Sequence, residues 1–307
     1  CNLRCFYCMP AEGIQYVPRK HLLTYEEMER LLRLLASMGI SKLRITGGEP
    51  FVRQNLIDFL EQAVNIPGME QVHITTNGVL TKPYIGRLKQ LGISSINLSI
   101  DTLDRERFKT ITRRDEVHKV EETMYQLLEA NIPLKINAVV IEGKNEEDIV
   151  ALSDLTKNLP IGVRFIEEMP FNGEGAHYSK LKWNHKAIVS HLTNHFGTLS
   201  KIDDGPHSTS SNYRIPGYKG TIGVIAAFSR TFCGSCNRIR ITSQGQLKTC
   251  LYDNGVLDLK ELLRGGASDQ EIGQHLQHAF GTRARDGFEA QSRRGAEVSE
   301  SMSEIGG

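Results

Sequence analysis

Six cysteines in two groups of three carry the chemistry of this 307-residue chain. Cys1, Cys5 and Cys8 have the spacing C-x3-C-x2-C, and Cys233, Cys236 and Cys250 the spacing C-x2-C-x13-C. Closed structural zinc sites take four ligands, and neither group has a fourth Cys or His at finger-like spacing. The histidine nearest the first group, His21, lies beyond a long loop. Disulfide frameworks belong to small secreted domains with weak cores, whereas a chain of this length with 39% hydrophobic residues can bury a large one. Two cubane iron–sulfur clusters, each held by three thiolates with one iron open to a small molecule, would account for every thiol.

The elements that must position these groups alternate. Residues 24–39 read as a helix with a Thr24/Glu27 capping box, an apolar stripe from Met28 to Met38 and a stop at Gly39. A strand over Lys42–Thr46 ends in Gly47-Gly48-Glu49-Pro50. Further strands are expected near 71–76, 95–100, 134–141 and 161–167, with helices near 55–65, 82–91, 117–130 and 146–158. That alternation implies parallel βα units. A strand is expected before Cys1, outside the chain, giving an α/β partial (βα)6 barrel of TIM type over residues 1–170. Residues 171–307 are expected to form an α+β domain carrying the second cluster. It would hold a helix at 184–196, an exposed polar loop at 203–212, and an antiparallel sheet from strands near 221–226, 238–242 and 246–250. Helices near 258–264 and 268–279 and a polar tail complete it.

Charge narrows the partners. A net charge of +1, with no aromatic-plus-basic stripe, argues against nucleic acid, so a phosphate ligand needs a local basic pocket. No apolar run reaches membrane-spanning length and no signal peptide is visible, so no membrane partner and a cytoplasmic location are expected. Ile239–Thr242 and Leu247–Thr249 flank Ser243–Gln246, a hairpin that would return Cys250 beside Ile239, close to Cys236. Arg238 and Arg240 share one face of the outgoing strand, a plausible anion cradle beside the second cluster. Arg44, Thr75 and Lys135 lie on the first, second and fourth of the visible barrel strands, where lumen-facing side chains could reach a phosphate ligand.

CNLRCFYC, with an aromatic before its last cysteine, and the GGE of Gly47–Glu49 resemble the radical S-adenosylmethionine (SAM) superfamily. The order CNLRCFYCMP, RITGGEP, TTNG, LSID, RFIE-x-M, FC-x2-C-x-R-x-R and a terminal Ile305-Gly306-Gly307 resembles, within it, the GTP 3′,8-cyclase family. The resemblance covers essentially the whole chain and is weakest over 172–215 and 281–301. It implies two [4Fe–4S] clusters, on Cys1, Cys5 and Cys8 and on Cys233, Cys236 and Cys250. It implies SAM contacts at Tyr7, Gly48, Ser99 and Met169, and GTP contacts at Arg44, Thr75, Lys135, Arg238, Ile239 and Arg240, with Arg164, Gly306 and Gly307 as further candidates. An arginine that the family carries upstream of its first cysteine has no counterpart here. The implied reaction is radical cyclisation of GTP, the first step of molybdenum cofactor biosynthesis. The implied partners are an electron donor such as flavodoxin or ferredoxin, a cyclic pyranopterin monophosphate synthase that receives the product, and a second copy in a homodimer. Two rivals are a peptide- or cofactor-modifying SAM enzyme and a non-enzymatic cluster- or zinc-binding regulator of nucleic acid.

Overall fold

The computed structural model describes residues 1–14, 17–169, 171, 181–294 and 300–305. Its strands are β1 (Lys42–Ile45), β2 (Gln71–Thr76), β3 (Ser95–Ser99), β4 (Leu134–Val140), β5 (Gly162–Glu167), β6 (Ser200–Lys201), β7 (Ser211–Arg214), β8 (Thr221–Ile225), β9 (Arg240–Ile241), β10 (Gln246–Lys248) and β11 (Leu257–Asp258). Eight of them form one sheet in the order β1-β2-β3-β4-β5-β8-β7-β6.

Alternation along these strands sorts side chains onto two faces. Ile74, Ile96, Leu98, Ile136, Val163 and Phe165 are at most 1% exposed and pack against the surrounding helices. Burial of each such side chain stabilises the fold by about 1.5–3 kcal/mol. The other parity is polar: Thr75, Asn97, Lys135, Asn137 and Arg164. In parallel register Thr75 pairs with Asn97, Asn97 with Lys135, and Asn137 with Arg164. One sheet face is thus a hydrophobic floor for helices, and the other a polar lumen.

The strand and helix expectations up to residue 167 hold to within two or three residues at each end. An additional helix, Arg105–Thr112, was not anticipated; Asp104 caps it by accepting from the Arg107 amide at 2.8 Å. The second half needs three corrections. Thr221–Ile225 does not join an antiparallel sheet with the later strands; it lies parallel to β5 and extends the barrel sheet to six parallel strands. Ile222 and Val224 bury its helix-facing side, and Gly223 on the other side lets Ser210, Asn212 and Arg164 come close. The polar stretch at 203–212 is not simply exposed: Thr209 and Ser210 are buried, and β7 begins at Ser211. The hairpin pairs Leu247 with Ile241 and Lys248 with Arg240. Continued, that register places Cys250 opposite Arg238 rather than Ile239.

The helix Tyr25–Ser37, with the expected capping box, serves two cores. Leu32 and Ala36 face the barrel helices, while Leu31 and Leu35 pack with Leu247, Leu259, Ile272 and Leu276. The last four come from β10 and from the helices Leu259–Arg264 and Asp269–Gly281. Arg264 fastens this contact through Glu27 at 2.7 Å and the Leu22 carbonyl at 2.8 Å.

Candidate active site

The loop carrying Cys1, Cys5 and Cys8 is fixed from two sides. The Arg4 and Phe6 amides donate to the Thr112 and Ile111 carbonyls at 2.9 and 3.1 Å, so the unanticipated helix end anchors it. Arg113, at φ 55°, adds bonds from Nη1 to the Arg4 and Met9 carbonyls, both 3.2 Å. The Gly47–Glu49 turn closes from the other side. Glu49 is buried and accepts from Thr76 Oγ1 at 2.8 Å and from the Asn77 amide at 2.7 Å. A Cβ on Gly48 would sit 2.8 Å from Cys1 Cβ, so this position must be glycine for the two loops to meet.

Polar hydrogens point at the sulfurs. Asn77 Nδ2 lies 3.8 Å from Cys1 Sγ, and the Ser303 amide favours the Cys8 thiolate. The single hydroxyl protons of Tyr7 and Ser301 go to buried Asp101 at 2.7 Å and to the Cys8 carbonyl at 2.5 Å. Burial, with the Asp101 charge behind it, pushes the Cys5 thiol well up, and burial takes Cys8 to about 11 and Asp101 to about 6. Donors converging on thiols that burial holds protonated are what metal-bound thiolates require, because iron displaces the proton and leaves an anion to be solvated.

The second group shows the same pattern. The Gly287 amide favours the Cys233 thiolate and the Tyr252 amide that of Cys250, while burial raises both thiols. Each of these two sulfurs feels the charge of another member of the group, so the three residues gather as expected. Among the described residues no three potential ligands converge on a point that a single metal ion could occupy. The corners of a cube do not ask for that convergence, and both donor sets fit clusters. The loop reaching Cys233 is held by Glu167 at the end of β5, which accepts from the Ser229 amide at 2.7 Å and the His185 amide at 2.6 Å.

Between the two cysteine groups the lumen is cationic. Arg44 donates to Thr75 Oγ1 at 3.4 Å, and Arg238 to Thr209 Oγ1 at 2.8 Å. Burial, then Arg238 and Arg164, lower Arg44 to about 10; burial, then Arg164 and Arg44, lower Lys135 to about 8. Arg164 and Arg240 are lowered by burial and then by Arg238. His73 on β2, paired in register with Arg44, is driven to about 4 by burial and by the Arg44 charge. A cavity of about 240 Å³ opens among Lys135, Gly162, Arg164, Ser208 and Asn212. Cations that depress one another's proton affinity describe a cradle for a multiply charged anion.

The structure therefore brings Arg44, Thr75, Lys135, Arg164, Arg238 and Arg240 to one chamber. Ser99 lies half-buried at the end of β3, paired with Asn137, and Met169 follows β5 and packs near Phe171 and Tyr252. Ile239 instead packs against the second apolar cluster, so a nucleotide contact there would use its backbone. Gly306 and Gly307 lie outside the described residues. Motif reading missed Asn97 and Asn137, whose Oδ1 atoms are buried without a partner among the described residues. The signal was present: both share the strand parity of Lys135, in otherwise apolar segments.

A sequence profile of the radical SAM superfamily matches residues 1–156, and one described as Molybdenum Cofactor Synthesis C matches residues 161–288. A GTP 3′,8-cyclase of Alkaliphilus metalliredigens is 41% identical over 309 residues, covering 100% of this chain and 94% of that protein. The chain belongs to the radical SAM superfamily, in its GTP 3′,8-cyclase family. As a radical SAM enzyme it implies a [4Fe–4S] cluster and SAM. Human molybdenum cofactor biosynthesis protein 1 is 41% identical over 292 residues, and the chain spans 45% of its length, with 93% of the chain covered. The mitochondrial GTP 3′,8-cyclase of Arabidopsis thaliana is 36% identical over 273 residues, covering 89% of this chain and 70% of that protein. Among solved structures, Streptococcus suis SuiB bound to precursor peptide SuiA superposes with a TM-score of 0.62 at 17% identity, covering 91% of this chain and 62% of that one; this likeness concerns the fold. No helix among the described residues is long and apolar enough to cross a membrane.

Proposed function

We propose that the chain is a GTP 3′,8-cyclase, converting GTP to (8S)-3′,8-cyclo-7,8-dihydroguanosine 5′-triphosphate in the first step of molybdenum cofactor biosynthesis. The observation that carries this reading is the chamber of mutually repelling cations between two thiol trios. A triphosphate neutralises it; a peptide backbone does not.

Cys1, Cys5 and Cys8 would hold the SAM cluster, with Tyr7, Gly48, Ser99 and Met169 around SAM. Cys233, Cys236 and Cys250 would hold a second [4Fe–4S] cluster. When bound, the first cluster and SAM would together supply 5′-deoxyadenosyl radical chemistry able to take the 3′ hydrogen of the GTP ribose. The resulting C3′ radical adds to guanine C8, and an electron and a proton complete the product. The chain's own work is positioning. Arg44, Lys135 and Arg164, with Thr75, hold the triphosphate against the sheet. Arg238, Arg240 and the Ile239 backbone lie at the second trio, where they would hold the base end of the nucleotide. Orphaned acceptors on Asn97 and Asn137 suit hydroxyl donors of bound ligands. The chain would divide into residues 1–170, carrying the SAM site and the strand cations for the triphosphate, and 171–307, carrying the second trio and the Gly306-Gly307 tail; two matched profiles that meet between residues 156 and 161 lie near that boundary. A flavodoxin or ferredoxin would supply electrons, a cyclic pyranopterin monophosphate synthase would take the product, and a cytoplasmic homodimer is the working form.

The test is an anaerobic assay with GTP, SAM and a strong reductant, with the product identified by mass spectrometry. A product isomeric with GTP and dependent on SAM is expected. SAM cleavage without any change in GTP would sink the assignment.

A further inference from the structure

Beside the second cysteine group lies a buried cation that the proposed function leaves unused. Arg230 is 8% exposed and adopts a left-handed backbone, φ 55°. Its guanidinium sits between two rings, 3.6 Å from the centre of Tyr252 and 4.4 Å from that of Phe288. Nη1 donates to the Gly287 carbonyl at 2.8 Å and Nη2 to Gln291 Oε1. Both acceptors are neutral, and Nε is buried without a partner among the described residues.

A buried positive charge held by rings and amides still lacks an anion, which is an expensive arrangement unless one is supplied. This charge stands beside Cys233, whose amide donates to the Arg230 carbonyl at 3.2 Å. The same arginine fixes the start of the helix Gly287–Arg294. A Cβ at Gly287 would stand 3.0 Å from Arg230 Cδ and 3.4 Å from Cys233 Sγ, so the backbone there touches both partners. Strain in the backbone, a stacked guanidinium and a glycine pressed against a sulfur all converge on one corner of the proposed second cluster. A cube bound by three thiolates is net negative, and more so when reduced.

We propose that Arg230 is a positioning residue for the second cluster: it sets the Gly287 amide on the Cys233 sulfur and supplies the positive charge that stabilises the cluster's reduced state. This rests on the reading of Cys233, Cys236 and Cys250 as cluster ligands. Charge and hydrogen bonds at the sulfurs are what set such potentials.

The experiment uses the full chain, reconstituted anaerobically with iron and sulfide, as wild type, R230Q, R230K and F288A. Iron and sulfide are counted, and each cluster is titrated with dithionite under electron paramagnetic resonance. Wild type should hold about eight irons, four per cluster. In R230Q the first cluster's signal should be unchanged, while the second either titrates at a lower potential or is lost, leaving about four irons. R230K, which keeps the charge but not the stacking, should recover part of the shift. Phe288 is 60% exposed, so F288A leaves the core intact and should lower the second potential by admitting water to the guanidinium. Eight irons and an unshifted second potential in R230Q overturn the role of Arg230 alone. If R230Q does not fold, an unshifted potential in F288A overturns it. Only four irons in wild type would remove the second cluster itself and this inference with it.

Discussion

At the scale of single residues, the proposed site divides into thiols assigned to clusters and cations assigned to the nucleotide, and the two answer to different tests. Cys5→Ala should abolish SAM cleavage while leaving about four irons on the other trio, read by iron analysis and by methionine release. Arg240→Ala should leave SAM cleavage uncoupled from GTP cyclisation, read by comparing 5′-deoxyadenosine with cyclised nucleotide; full coupling would remove Arg240 from the nucleotide site. Lys135 makes the chamber pH-sensitive. Its pKa falls from 10.5 to about 8, so between those values the unfolded chain keeps a proton that the folded, nucleotide-free protein has lost. Its contribution to stability is therefore present above the upper value and lost as pH falls through the lower one. A bound triphosphate favours the charged amine, so GTP binding should take up a proton and weaken as pH rises above 8. Titration calorimetry of GTP in buffers of different ionisation enthalpy would show this uptake; identical heats would count against Lys135. The cysteines were legible from their spacing, and Arg44, Lys135 and Arg240 from the family resemblance, with strand parity in agreement. Asn97 and Asn137 have the same parity but no motif, and Glu49 and Glu167 reveal their anchoring roles only once the loops they tie are seen together.

At the scale of elements, the legible parts were those with a strong period. β4 alternates fully, with Leu134, Ile136, Ala138 and Val140 buried and the intervening residues half-buried. Tyr25–Ser37 announces both its cap and its stripe. The helix Arg105–Thr112 escaped because its only buried side chains are Phe108, Ile111 and the polar Thr112, set among charged residues. β8 was misassigned because its partner, β5, is distant in sequence, and no local pattern distinguishes a parallel from an antiparallel neighbour for so short an apolar run. The overlooked helix has a measurable consequence. Asp104→Ala should cost about 0.5–2 kcal/mol. It should also speed hydrogen exchange at the Arg4 and Phe6 amides, which rest on that helix's last carbonyls. Unchanged exchange would mean that the cysteine loop holds itself.

At the scale of the whole molecule, the two halves are joined near the chain's end. Glu300 accepts from Lys248 at 2.9 Å and from Arg294 at 2.9 Å, and both cationic side chains are at most 5% exposed. The next residue, Ser301, donates to the Cys8 carbonyl, and Ile305 is buried with Phe171, Tyr252 and Ala290. Lys248 stands two residues before Cys250, so this arm runs from the second trio to the first. Glu300→Gln strands two buried cations and should cost about 3–5 kcal/mol. Limited proteolysis should then cleave the chain ahead of Ser301 faster than in wild type, and equal cleavage rates would show that Ser301 and Ile305 hold the arm without Glu300.

Because β8 completes a sheet begun more than a hundred residues earlier, and one amphipathic rod lends adjacent flanks to both greasy interiors, neither portion owns a finished core. Severing the polypeptide after β5 should therefore yield two insoluble fragments that regain solubility only when produced together, and the spacing between the two cysteine trios is inherited from that mutual dependence rather than from any hinge.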